Sequence, residues 1–193
     1  SAETSAGRFL DGIGEQTQRL EVFPLQPGQR LGRYRIDDCL AAGGMGVVYR
    51  AEDEQLQRRV ALKFLAPRAD DDPEQRQRLL DEARWASRLD HPNVCTIHEI
   101  GETDTGQVFI VMALCPGEDL GRRLRRAPLS VEAIVKLALQ LTEALMAAHG
   151  VGVLHRDLKP GNVIVDEAGA ARLVDFGIAA AARGRGTEHT HAG

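Results

Sequence analysis

Apolar residues alternate mainly as in strands up to Leu114 and recur mainly at helical spacing beyond Cys115, and that shift does most to limit what the chain can fold into. From Leu31 to Leu65 three runs read as strands, Leu31 to Leu40, Gly46 to Glu52 and Arg59 to Leu65, parted by a glycine cluster and a polar turn. Strands joined by connections this short run antiparallel. Asp72 then caps a helix with Pro73 at its first position, and Leu79, Ala83, Ala86 and Leu89 recur at helical spacing until Asp90-His91-Pro92 stops it. Val94 to Ile100 and Gln107 to Leu114 read as another strand pair around a turn containing Thr103, Asp104, Thr105 and Gly106. After Cys115-Pro116-Gly117 the spacing becomes helical, with Ser130 as cap and Ile134, Leu137, Leu141 and Leu145 on one stripe up to Gly150. Short strands follow at Val163 to Val165 and Ala171 to Val174. The expected fold is therefore α+β: a five-stranded antiparallel sheet with one helix over residues 30–114, then a mainly helical part over residues 115–193.

Ser1 to Gln29 is polar, with loosely spaced Phe9, Leu10, Ile13, Leu20, Val22 and Phe23, and ends in the breakers Pro24, Pro27 and Gly28, so residues 1–29 read as a linker or upstream extension. Hydrophobic residues at 43% beside 27% charged ones are enough to bury a core, and with 4% aromatics that core should be mainly aliphatic. A net charge of -4 argues against the concentrated basic surface that holds nucleic acid or anionic lipid, so no nucleic-acid partner is expected. Cys39, Cys95 and Cys115 are odd in number and contain no CxxC pair, which disfavours a disulfide framework or a zinc site and fits a reducing, cytoplasmic setting. No apolar run reaches the roughly 20 residues of a membrane span, and Ser1 to Gly14 lack the order of a signal peptide. Ser1 in first place reads as a piece of something longer, which leaves membrane association of the parent open.

Several residues carry chemistry on their own account. Gly43-Gly44-Met45-Gly46 lies between two strands, where glycines let backbone N–H groups approach phosphate oxygens, although such a turn can be only a turn. Its strand-to-strand setting disfavours the Rossmann and Walker loops, which run from strand into helix. Val48 and Ala61 point inward and can cover a flat ring, and Lys63, two residues beyond Ala61, shares its face. A lysine in a strand is commonly solvated, but here arginine is used almost everywhere and the only lysines are Lys63, Lys136 and Lys159. Glu82 falls on the apolar stripe of its helix, with Asp81 rotated about 100° away, so Glu82 is either a solvated helix charge or a carboxylate in need of a cation such as Lys63. The most specific stretch is His155-Arg156-Asp157-Leu158-Lys159-Pro160-Gly161-Asn162, followed after two short strands by Asp175-Phe176-Gly177.

In this order the motifs resemble the eukaryotic-type protein kinases, from about Leu31 to Gly193, and Leu31-Gly32-Arg33-Tyr34 with the Gly-Gly-Met-Gly loop is most similar to bacterial, Hanks-type serine/threonine members. The resemblance implies a two-lobed fold, with the N-lobe over residues 30–114 and a partial C-lobe over residues 115–193 that reaches the start of the activation segment. It implies ATP and Mg²⁺ as cofactors and serine or threonine side chains of proteins as substrates. Lys63 is then expected on the α- and β-phosphates, paired with Glu82. Asn162 and Asp175 are expected on Mg²⁺, Asp157 on the substrate hydroxyl, and Lys159 on the transferred phosphate, as in the serine/threonine branch. Leu40, Gly43, Gly44, Met45, Gly46, Val48, Ala61 and Ile164 are expected around the nucleotide, with Met112 as gatekeeper and Ala113, Leu114 and Cys115 as the hinge that reads the adenine edge. Arg156 matches the arginine that grips a phosphorylated activation loop, for which Thr187 and Thr190 are the nearby candidates.

Ala41 departs from the pattern, because it stands where the first loop glycine is expected and disfavours positive φ there. That substitution, with the later lobe segments that the 193 residues do not include, keeps alive a second reading, a pseudokinase or nucleotide-binding signalling module. A small-molecule phosphotransferase shares the catalytic Asp and Asn but not the full string. His189 and His191 could suggest a metal site, yet two histidines in a tail are commonly solvated. The resemblance also leaves room for a homodimer through the N-lobe. Activity is expected of the longer parent, and the 193-residue piece is expected to be inactive by itself.

Overall fold

The computed structural model describes residues 25–43, 46–65 and 73–176. The upstream extension as far as Pro24, and Gly44, Met45, Asp72, Gly177, Thr187, His189, Thr190 and His191, lie outside the described residues, as does the side chain of Leu79. The described residues form two compact units, one from those before Asp71 with Gly101–Met112, the other from those between Asp72 and Ile100 with those after Met112.

Strands β1 (Arg30–Leu31), β2 (Tyr34–Gly43), β3 (Gly46–Asp53), β4 (Arg58–Leu65), β5 (Ile97–Glu102) and β6 (Val108–Ala113) form one sheet in the order β1-β2-β3-β4-β6-β5. The sheet has six strands where five were expected, because the run from Leu31 breaks at Gly32. Its φ of 55° turns two residues back onto β2, pairing Leu31 with Tyr34. Val94 does not begin β5; it makes a parallel bridge to Leu173 in the second unit, and the strand starts at Ile97.

In the first unit Val47 pairs with Phe64 and Tyr49 with Leu62 across β3 and β4, and these four side chains are buried with Tyr34, Ile36, Phe109 and Val111. The few aromatics are concentrated there. Tyr49 meets Phe64 edge-on at 5.7 Å, Phe64 meets Phe109 at 5.6 Å, and Phe109 meets Tyr34 edge-on at 6.5 Å. Asp53 is fully buried at the end of β3, with Arg33 Nε at 3.3 Å and Arg58 Nε at 3.9 Å, while its Oδ1 accepts from Leu56 N at 3.1 Å and closes the turn into β4. A buried carboxylate is tolerated only with such partners.

The second unit holds α1 (Pro73–Ala86), β7 (Glu118–Asp119), α2 (Leu120–Arg126), α3 (Val131–Gly150), a 3₁₀ turn at Pro160–Asn162, β8 (Val163–Val165) and β9 (Ala171–Leu173). Pro73 is the first helical residue of α1, and the helix ends at Ala86, short of Leu89. Ser130 Oγ caps α3 by accepting from Ala133 N at 3.2 Å. Leu137, Ala144 and Ala148 are buried against Val163, Val165 and Leu173, with Leu141 and Leu145 beside them, whereas Ile134 in the first turn is half exposed. The short helix α2 was not anticipated, although its signal was present: Asp119 Oδ1 caps it by accepting from Arg122 N at 2.8 Å. None of the helices among the described residues is long and apolar enough to cross a membrane.

Polar side chains lock this unit internally. Asn93 Nδ2 donates to Gln140 Oε1 at 3.0 Å and to Ala171 O at 2.7 Å, and Gln140 Oε1 accepts from Ala171 N at 2.9 Å. His155 is buried, with Nε2 3.1 Å from Val174 O and its ring 4.7 Å from that of Phe176. Gly117, at φ 112°, brings the chain into β7, and a Cβ there would stand 2.2 Å from Val165 O.

Two stability effects follow from these contacts. Gly117→Ala combines a left-handed alanine with a clash against fixed backbone, and should cost at least ~1 to 3 kcal/mol; an unchanged urea midpoint for the second unit contradicts this. Burial pushes the His155 imidazole below its ordinary pKa of 6.5. A depressed pKa means stability that is complete above the unfolded value and lost as pH falls through the folded one. Unfolding free energy should therefore decline as pH drops below about 6.5, and His155→Gln should flatten that decline, as read from denaturant curves across pH.

Candidate active site

On the first unit, β2 and β3 meet at Gly43 and Gly46, which pair with each other at the mouth of the turn. Gly46 has a φ of 122°, a conformation that a side chain resists, so here the glycine is required by the backbone. Ala41 corrects the sequence reading. It lies in extended strand opposite Val48 and is not among the residues with positive φ, so alanine suits that position as well as glycine does. Leu40 sits at the irregularity between Cys39 and Ala41. Val48 is the cross-strand partner of Lys63, and Ala61 is two residues along β4, which puts Val48, Ala61 and Lys63 on the face opposite Val47, Tyr49, Leu62 and Phe64. Lys63 is buried, 3% exposed, far from the solvated lysine that its residue type alone would suggest. Met112 is buried near the end of β6.

On the second unit the chemistry gathers around Asp157. Its Oδ2 accepts from Lys159 Nζ at 2.8 Å and from Asn162 Nδ2 at 3.0 Å, and its backbone oxygen accepts from the same amide at 2.8 Å. The loop can do this because Pro160 starts a tight 3₁₀ turn that brings Asn162 back under Asp157. Asn162 N donates to Lys159 O at 2.9 Å, and Val174 N donates to Asn162 O at 3.0 Å, so the turn is tied to the strand end that carries Asp175. Asp175 itself has a φ of 65° and Arg156 one of 57°. Non-glycine residues in this region are strained, and they persist where the surroundings over-determine them, as at reactive sites.

Arg156 Nη1 donates to Oε1 of Glu82 on α1. The helix carboxylate expected to answer Lys63 is thus engaged within its own unit by the arginine that precedes Asp157. Its other oxygen, Oε2, is buried and without a hydrogen bond among the described residues. Sequence reasoning missed this pair, and no local signal could have supplied it, since the two residues lie on separate elements. It also missed Asn93 and Gln140, which support the β8–β9 hairpin that precedes Asp175. Ala113 and Cys115 follow Met112 as partly exposed residues, and Ile164 lies in β8 opposite Arg172 and Asp119.

The donor set suits a hard cation. Asn162 spends its side-chain N–H groups on Asp157, which leaves its side-chain oxygen as the remaining acceptor, and Asp175 supplies a carboxylate. Oxygen ligands of this kind, one or two from protein with the rest from phosphate and water, match Mg²⁺.

Residues 34–193 match the protein kinase domain family. The chain is 46% identical over 173 residues to the serine/threonine-protein kinase PknE of Mycobacterium tuberculosis, covering 89% of this chain and 29% of PknE. It superposes on the crystal structure of the Mycobacterium tuberculosis PknI kinase domain with a TM-score of 0.72 at 34% identity, covering 80% of this chain and 62% of that one. It also resembles Rad53, solved in complex with AMP-PNP, with a TM-score of 0.67 at 25% identity over 76% of this chain and 38% of that one. The chain thus spans less than a third of the length of PknE. With the ordered motifs and the fold of both units, the match over residues 34–193 means that this chain belongs to the protein kinase family.

Proposed function

We propose that the protein carrying this chain transfers phosphate from Mg-ATP to serine or threonine hydroxyls of other proteins. The observation that carries this reading is the Asp157 carboxylate, held by Lys159 Nζ and Asn162 Nδ2 beside the strained Asp175. Phosphoryl transfer asks for positioned charge more than for covalent help from the enzyme, and this loop concentrates both signs of charge at fixed distances. The AMP-PNP held by the Rad53 relative supports a nucleotide site of the same kind here.

In this reading Asp157 accepts a hydrogen bond from the substrate hydroxyl and orients its oxygen toward the γ-phosphorus. A carboxylate with an ordinary pKa near 3.9 is a weak base for an alcohol, so orientation is its main contribution and the proton passes to it late. Lys159 steadies the carboxylate and places a positive charge where the phosphoryl group passes. Asn162 and Asp175 hold Mg²⁺, which neutralises phosphate charge when bound. Lys63 meets the α- and β-phosphates. On the first unit Val48, Ala61 and Met112 offer an apolar face for the adenine and the backbone of Gly43 and Gly46 serves the phosphates; on the second, Ile164 offers apolar contact and backbone groups of Ala113 and Cys115 meet the adenine edge. Of the two grounds for the competing reading, nucleotide binding without transfer, the one from Ala41 falls away, since alanine is at ease in that strand.

The full-length protein should yield phosphoserine or phosphothreonine on phosphoamino-acid analysis of a labelled substrate; mainly phosphotyrosine would falsify the assignment. Asp157→Ala and Asp175→Asn should each lose about 3 to 5 kcal/mol of transition-state stabilisation. Turnover within a factor of about three of wild type in either variant, under 1 kcal/mol on that scale, contradicts the roles given to these carboxylates.

A further inference from the structure

Two cysteines far apart in sequence are brought onto one carbonyl. Ala113 N donates to Thr96 O at 2.9 Å, which sets the segments containing Cys95 and Cys115 side by side, and Cys95 N is fixed on Leu173 O at 2.8 Å. Cys95 Sγ then lies 3.3 Å from Ala113 O and Cys115 Sγ lies 3.8 Å from the same oxygen, so both thiols are gathered on one acceptor. They differ in access: Cys95 is buried and Cys115 is partly exposed. They also differ in acidity. The neighbouring Cys95 thiol holds the Cys115 thiol below its ordinary pKa, while the Cys115 thiol and burial push Cys95 up. A reachable, more acidic thiol backed by a buried partner is the arrangement of an attacking and a resolving cysteine.

We propose that Cys95 and Cys115 close into a reversible disulfide on exposure to a peroxide, and that this bond weakens nucleotide binding at the Ala113–Cys115 segment. The Cys115 sulfur attacks the O–O bond of hydrogen peroxide and becomes a sulfenic acid, releasing hydroxide, which is protonated to water. The Cys95 sulfur then attacks the Cys115 sulfur, the S–O bond breaks, and the departing oxygen leaves with the Cys95 proton as a second water. Two thiols and one peroxide give one disulfide and two waters, and a dithiol reductant reverses the bond by exchange. Drawing the two sulfurs together pulls Cys115 toward Cys95 and changes what both sulfurs offer Ala113 O. The effect on nucleotide rests on the function proposed above, in which backbone groups of Ala113 and Cys115 meet the adenine edge.

The test uses the full-length protein, treated with stoichiometric hydrogen peroxide, alkylated, digested and mapped by mass spectrometry without reductant. Mg-ATP affinity is measured on reduced, oxidised and dithiothreitol-treated samples. The expected result is a peptide pair joined through Cys95 and Cys115, roughly tenfold weaker nucleotide binding, and recovery of both on reduction. Cys95→Ala should stop at a Cys115 sulfenic acid that dimedone traps. The proposal is overturned if both cysteines remain alkylatable, if Cys115 passes to a sulfinic acid with no linked peptide, or if the disulfide forms and affinity is unchanged. A reduced protein that binds no Mg-ATP overturns the proposed function instead, and the peptide map still decides whether the pair closes.

Discussion

Asn162 is the residue on which the second unit's chemistry hangs. It is buried, its side-chain amide donates to Asp157 at both the backbone and the carboxylate, its N–H closes the turn on Lys159, and its carbonyl accepts from Val174. These bonds tie Asp157, Lys159 and the strand end at Val174 to one residue. Because a buried polar group left without a partner costs about 1 to 3 kcal/mol, the whole set is held together or lost together. That is how a loop with little regular structure can keep a carboxylate and an ammonium group at fixed separation.

The same use of polar interior groups recurs away from the loop. Asn93 and Gln140 tie helix α3 to the start of β9, and Asp53 seals the β3–β4 turn between two guanidinium groups. Apolar burial is non-directional and sets these elements against one another without fixing their register. Hydrogen bonds with defined donors and acceptors then select one register. In the first unit that selection is shared with an aromatic series of Tyr34, Tyr49, Phe64 and Phe109, which lies on one side of the sheet and leaves the other face to Val48, Ala61 and Lys63.

Strain and reactivity lie in the same unit. Arg156 and Asp175 both take left-handed backbone conformations that their side chains disfavour, and both flank the Asp157 loop and its hairpin. The arginine is spent on Glu82, which couples helix α1 to the loop. The paired thiols of Cys95 and Cys115 sit on the carbonyl of Ala113, so a change in one covalent bond acts on the chain just past Met112.

Much of this was legible in the sequence because periodicity and motif order are local. The switch from alternating to helical spacing at Cys115-Pro116-Gly117, the Ser130 cap and the short strands before Asp175 follow from backbone preferences that neighbouring residues determine. The ordered loop from His155 to Asn162 announced its family in the same way. What sequence reading missed needed either a glycine conformation or a distant partner. Gly32 split the first strand, Ala41 turned out to lie in extended backbone, and Asp119 capped a helix too short to show a stripe. The pairings of Glu82 with Arg156, Asn93 with Gln140 and Cys95 with Cys115 were decided by tertiary structure alone, since a side chain's partner depends on which distant segments the fold brings within hydrogen-bond reach, and no local spacing encodes that distance.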